Sequence, residues 1–173
     1  DARGHERDAY DDLNPLYVIW SGPDGRHQGS MRFLPTTGRT MINEHFTHLL
    51  GGGTLQSPFI WECTSFCLAK GATSKVAAAL MLGGGEVMRH SGVDAFVGVF
   101  DARMVRIYRK IGWSPEILGS DGEGRDKISV GLWSQSNEDR ARIAFRAHIT
   151  PALAEQWFHS SQSGGRAEIY EIA

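Results

Sequence analysis

The sequence predicts an α/β fold of three layers, a mixed sheet with helices on both faces, and three observations predict it. Short apolar runs of strand length recur along the chain; helical patterns of ten residues or more separate them; and glycine- or proline-rich turns mark the junctions. Read in order, the elements run β-β-α-β-α-β-α-β-β with two closing helices, which suits a layered α/β sheet. At 173 residues, the chain has the length of one domain, residues 1–173, with a core that needs no disulfide or metal to hold it.

L-Y-V-I-W, Leu16 to Trp20, is the first strand, and S-G-P-D-G-R-H-Q-G turns the chain into a second from Ser30 to Leu34. Together they read as a hairpin in which Arg32 points away from the Met31 and Phe33 side. Met41, Ile42, Phe46, Leu49 and Leu50 recur at helical spacing until G-G-G ends the run. Phe59 to Ala69 is the third strand. Ala72 to Arg89 follows as a helix with Thr73 or Ser74 as N-cap. Gly83, Gly84 and Gly85 cost it roughly 1 kcal/mol each relative to Ala, and signal close packing or a break. A-F-V-G-V-F, Ala95 to Phe100, is a buried strand; Asp101 caps the helix after it and Gly112 stops that helix. Glu116 to Leu118 and Ile128 to Trp133 are strands around a polar loop. Helices over Asn137 to Ala147 and Pro151 to His159 close the chain, ahead of a mobile S-S-Q-S-G-G spacer.

A net charge of -2 with 22% charged residues carries no global signature of nucleic-acid or acidic-membrane binding. No run approaches the ~20 apolar residues of a membrane span. Cys63 and Cys67, the only cysteines, are about 13 Å apart on an extended strand, too far to bridge. No C-x-x-C or H-x-x-x-H pair suggests a metal site. A cytoplasmic monomer is the expectation, and the charged, Met-less opening D-A-R-G-H-E-R suggests residues upstream.

Glu62 lies in I-W-E-C-T-S-F-C-L with no neighbouring charge. A carboxylate buried there needs a distant partner such as Arg32, or a task such as general base. Asp8, Asp11 and Asp12 with Glu6 form an acidic cluster that lacks the spacing of a calcium loop; with Arg32 it makes a charge network suited to a cationic ligand. Arg103, Arg106, Arg109 and Lys110 share one helix face, which is either a solvated surface or a dock for an acidic partner. Ser65 has no nucleophile elbow around it, and no phosphate-loop motif occurs.

Four stretches, D-A-Y-D at Asp8 to Asp11, G-S-M-R-F-L-P-T-T at Gly29 to Thr37, W-E-C-T-S-F at Trp61 to Phe66, and F-D-A-R-M-V-R-I-Y-R-K-I-G-W, resemble the acyl-homoserine-lactone synthases, the LuxI-type autoinducer synthases of bacterial quorum sensing. The resemblance spans about residues 6 to 119. It implies a fold similar to the GCN5-related acyltransferases and transfer of an acyl chain from acyl-carrier protein to the amino group of S-adenosylmethionine. Lactone formation then releases methylthioadenosine. No cofactor is implied, since S-adenosylmethionine is a substrate. Carried over, Asp8, Asp11, Arg32 and Phe66 would shape the S-adenosylmethionine pocket and Glu62 would help take its ammonium proton. Met81, Phe96, Val97, Gly98, Val99, Phe100 and Met104 would line the acyl pocket, and the basic helix face would meet the acidic carrier.

Three departures qualify the resemblance. An amphipathic segment that covers S-adenosylmethionine in the family is not in this chain. Ser65 stands where the family pattern E-x-x-R-F has arginine. Gly98 stands where a hydroxyl residue accompanies a 3-oxo acyl preference in some members, which favours an unsubstituted or 3-hydroxy chain. Two other readings stay open: an acetyl-coenzyme A-dependent N-acetyltransferase with Tyr108 as general acid, and an inactive homologue that still binds S-adenosylmethionine.

Overall fold

Backbone pairing joins six strands into one sheet in the order β1-β2-β3-β4-β6-β5. The computed structural model describes residues 7–163; Glu6 and the glycines of the expected spacer lie outside them. β1 (Leu16–Ser21), β2 (His27–Pro35) and β3 (Ile60–Leu68) form an antiparallel meander. β4 (Ala95–Asp101) runs parallel to β3, and β6 (Ile128–Ser134) runs antiparallel to both β4 and the edge strand β5 (Glu116–Asp121). The sheet is mixed, as expected.

The two layers outside it are unequal. One face carries Met31, Phe33, Phe96 and Trp133 and is covered by four helices: α2 (Ser74–Ser91), α3 (Ala102–Ile111), α4 (Asn137–Ala147) and α5 (Pro151–Gln162). The other carries Val97 and Val130 and is covered by one short helix, α1 (Met41–His45), and the 3₁₀ turn Thr47–Leu50, through Ile42, Phe46, Leu49 and Leu50, together with Leu55. The helical run expected from Met41 to Leu50 is broken at Phe46, whose φ of -124° leaves the helical region.

Local chemistry accounts for the helix ends. Asp101 accepts the Arg103 amide at 2.8 Å to start α3, and Gly112, at φ 90°, closes it. Ser136 and Asp139 form a reciprocal capping box at α4, while Thr150 caps α5 ahead of Pro151. The glycine triplet does not interrupt α2. A Cβ on Gly84 would meet Met31 Sδ at 3.2 Å and Phe33 Cζ at 3.3 Å, so a bare backbone is what lets the helix lie close on the sheet.

β3 contains the irregularity that positions the site. Ser30 pairs with Cys67 and Arg32 with Thr64, so two steps along β2 match three along β3. The extra residue is a β-bulge. Ser65 sits in it with φ 52°, a left-handed conformation uncommon for serine.

Candidate active site

Glu62 is 1% exposed, and its charge is met by backbone rather than by a side chain. Oε1 accepts the Ile42 N–H at 2.6 Å and Oε2 the Met41 N–H at 3.0 Å. These are first-turn amides of α1, which no preceding helical turn can satisfy, so a carboxylate suits them. Burial raises the Glu62 carboxyl above the ordinary glutamate range, and the amides and Arg32 only partly offset it. The expected ion pair between Glu62 and Arg32 is not formed.

Arg32 joins the acidic cluster instead. Its Nη1 donates to Asp8 at 2.6 Å and to Asp11 at 2.7 Å, its Nη2 to the other Asp8 oxygen at 3.0 Å, and its Nε to Thr64 Oγ1 at 3.0 Å. All five guanidinium hydrogens cannot be left unmet in a side chain that is 1% exposed, which is why two carboxylates converge on it. Burial works against the Asp11 charge, but hydrogen bonds from Tyr17, the Asp8 amide and Arg32 prevail and bring its carboxyl down to about 2. Asp8 is lowered chiefly by its bond to Arg32. Asp12 turns away to pair with Arg7.

Beyond this network the sheet opens. β3 and β4 pair only from Ile60 to Glu62 against Ala95 to Val97, although both strands continue. A cavity of about 380 Å³ lies where they separate, within the size range of small-ligand sites. Met81, Phe96, Gly98, Val99, Phe100 and Met104 line it. Val97 does not: strand alternation sends it to the opposite face with Ile42 and Val130. Phe66 belongs to the cavity wall rather than to the charged network. Thr64 touches both regions, bonding Arg32 while lining the cavity.

Several wall residues escaped the sequence reading, among them Met31, Phe33, Tyr108, Trp113 and Trp133. Tyr108, Phe100 and Trp133 pack edge to face with ring centroids 5.0 to 5.7 Å apart. Burial pushes the Tyr108 hydroxyl far up, so it stays protonated. A Cβ at Gly98 would lie 2.9 Å from the Cys63 carbonyl oxygen, so this glycine sets how near the diverging strands remain.

The basic helix face divides. Arg103 folds back on Asp101, its Nε donating at 2.9 Å. Arg106, Arg109 and Lys110 instead line a surface groove with Lys75 of α2 and Phe145, Arg146 and His148 at the end of α4. Phe145, one of its lining residues, is 79% exposed. A phenylalanine inside the polar run R-I-A-F-R was the available signal, but only the fold brings α2, α3 and α4 together.

Residues 2–143 match the model of a family described as autoinducer synthase. The chain belongs to that family. It is 40% identical over 157 residues to an acyl-homoserine-lactone synthase of Rhizobium etli, covering 87% of this chain and 73% of that one. The acyl-homoserine-lactone synthase of Agrobacterium fabrum (strain C58 / ATCC 33970) is 33% identical over 125 residues, and there the match covers 67% of this chain and 59% of the relative. Among solved structures, a CoA-dependent acyl-homoserine lactone synthase, MesI, superposes with a TM-score of 0.73 at 27% identity, over 85% of this chain and 75% of that one. The enzyme is therefore an acyltransferase of the acyl-homoserine-lactone synthase class, and its sheet is the acyltransferase-like sheet that the sequence led us to expect. No helix among the described residues is long and apolar enough to cross a membrane.

Proposed function

We propose that this synthase acylates S-adenosylmethionine at the junction of the ion network and the cavity, with Glu62 as proton acceptor and acyl-carrier protein as donor. One observation carries the reading: Thr64 links buried Arg32, held by Asp8 and Asp11, to an apolar cavity that begins where β3 and β4 part. A charged amino-acid substrate and an apolar acyl chain need such neighbours.

The substrate ammonium is no nucleophile until it loses a proton. Glu62, anchored by two amides and raised above the ordinary carboxylate range by burial, takes that proton through one water. The free amine then attacks the thioester carbonyl. Amides of β4 beyond Val97 that face away from β6 are preorganised donors for the oxyanion, and collapse expels the thiol. The substrate carboxylate next attacks its own γ-carbon, closing the lactone and releasing methylthioadenosine. Neither step needs a metal.

The groove lined by Lys75, Arg106, Arg109, Lys110 and Arg146 together with exposed Phe145 favours a carrier protein, whose acidic surface would meet several cations and an aromatic anchor. Coenzyme A is the second reading, favoured by the likeness to MesI. Mass spectrometry of reactions holding S-adenosylmethionine with either acyl-carrier protein or acyl-coenzyme A tests both. Lactone from the carrier thioester, with Arg106→Glu plus Arg146→Glu raising its KM about tenfold and leaving that of S-adenosylmethionine unchanged, is the expected result. Equal effects on both substrates count against the groove. Lactone from acyl-coenzyme A alone selects the second donor, and no lactone from either overturns the reading.

A further inference from the structure

We propose that His90, Glu155 and His159, with Glu86 beside them, form a site for one borderline divalent cation such as zinc, joining α2 to α5. The motif Glu-x-x-x-His stands on each of two longer helices, as E-V-M-R-H at Glu86 to His90 of α2 and E-Q-W-F-H at Glu155 to His159 of α5. Each spacing puts both side chains on one helix face. The fold then sets the two faces against each other: ligand atoms of His90, Glu155 and His159 all lie within 4.8 Å of one another. The imidazole centroids are 4.7 Å apart, and stacking on Phe158 at 4.5 Å holds the His90 ring plane.

A second observation points independently to a ligand. Glu86 is 1% exposed, and its Oε2 has no hydrogen-bond partner among the described residues. Such an oxygen is costly to bury. It lies 3.5 Å from His90 Nε2, close to the roughly 3.4 Å separation that two ligands have around tetrahedral zinc with bonds near 2.1 Å. Arg140 does not compete for it, because its Nε is spent on the other oxygen of Glu86 at 2.6 Å. The remaining cations nearby make looser contacts: Arg89 Nε is 4.0 Å from Glu86 Oε2, and Arg140 Nη2 is 3.6 Å from Glu155.

Two imidazoles with carboxylates select zinc, nickel or copper over magnesium or calcium. The ion has no part in acyl transfer. It fastens α5 onto α2 beside the groove that α5 shares with β1 and α2, which Glu86 and Phe158 also line. A search for paired histidines at helical spacing misses the site, because each helix supplies one histidine and one carboxylate.

The test is zinc titration of the tag-free, chelator-treated protein by calorimetry, with cobalt(II) absorption as a second probe. One ion per chain is expected, with the visible bands of tetrahedral cobalt. His159→Ala and His90→Ala should each weaken binding at least tenfold, whereas His27→Ala, on the exposed start of β2, should leave it unchanged. Circular dichroism checks that each variant is folded. No zinc binding by the parent protein, or equal affinity in the parent and in folded His159→Ala, overturns the proposal.

Discussion

Glu62 and Glu86 are both 1% exposed, yet the two faces of the sheet handle their charges in different ways. On the thin face Glu62 is held by two peptide dipoles of α1 and has no cation in contact. On the helical face Glu86 meets a full charge, Arg140 at 2.6 Å. Dipoles stabilise a carboxylate less than a guanidinium does, so Glu62 remains shifted toward its protonated form and is suited to exchange a proton. An ion pair fixes charge; a pair of amides leaves it adjustable.

The largest test of that contrast is Glu62→Gln. Lactone formation should fall by about 10²- to 10⁴-fold, the usual range for loss of a general base, with the thermal midpoint little changed because the amide oxygen can still accept one N–H. Turnover near the parent level would remove Glu62 from the chemistry. At Glu86 the effect should be structural. Arg140→Met leaves an uncompensated buried carboxylate and should cost about 3 to 5 kcal/mol in denaturant unfolding. The double variant Arg140→Met with Glu86→Met should recover most of that loss, and failure to recover would mean that Arg140 acts mainly through its bond to the Pro151 carbonyl at 2.9 Å.

Acidity separates the thin face further. The Glu62 carboxyl is raised, so kcat/KM should climb through a pH above the usual glutamate value as the base ionises. For stability the sign is opposite: the folded state holds that proton more tightly, so the contribution is complete below the ordinary value and is lost as pH rises through the raised one. Asp8 and Asp11 are lowered. Their stabilisation is present above the ordinary aspartate range and is lost as pH falls toward the Asp11 value of about 2. Unfolding curves of the parent and Arg32→Met should therefore converge as the pH is lowered, and a gap that is independent of pH would contradict the network. The smallest expected effect is at the bulge: Ser65→Gly relieves a left-handed serine and should stabilise by about 1 kcal/mol.

The sequence made the strands, the α3 and α4 boundaries and the Asp101 cap legible, because alternation, capping chemistry and Gly112 are local signals. It also brought Asp8, Asp11 and Arg32 together, through their charges and the family resemblance. Val97 was misread because A-F-V-G-V-F is apolar throughout, and a strand covered on both faces hides which side each residue takes. The partners of Glu62 were invisible for another reason: they are main-chain amides of Met41 and Ile42, which every sequence possesses. Glu86 passed unnoticed within a run of alanine, leucine and glycine, its cation 54 residues away.

The bulge at Ser65 gives β3 two reading frames. Upstream, even-numbered residues Glu62 and Thr64 face the ion network; downstream, parity reverses, so Cys67 takes the polar side and Phe66 enters the cavity wall. One residue of length thus acts as punctuation. Straightening the strand with Ser65 kept in the ladder would leave its composition intact and yet exchange a phenylalanine for a thiol in the cavity wall. What this strand must keep is the kink, whichever residue occupies it.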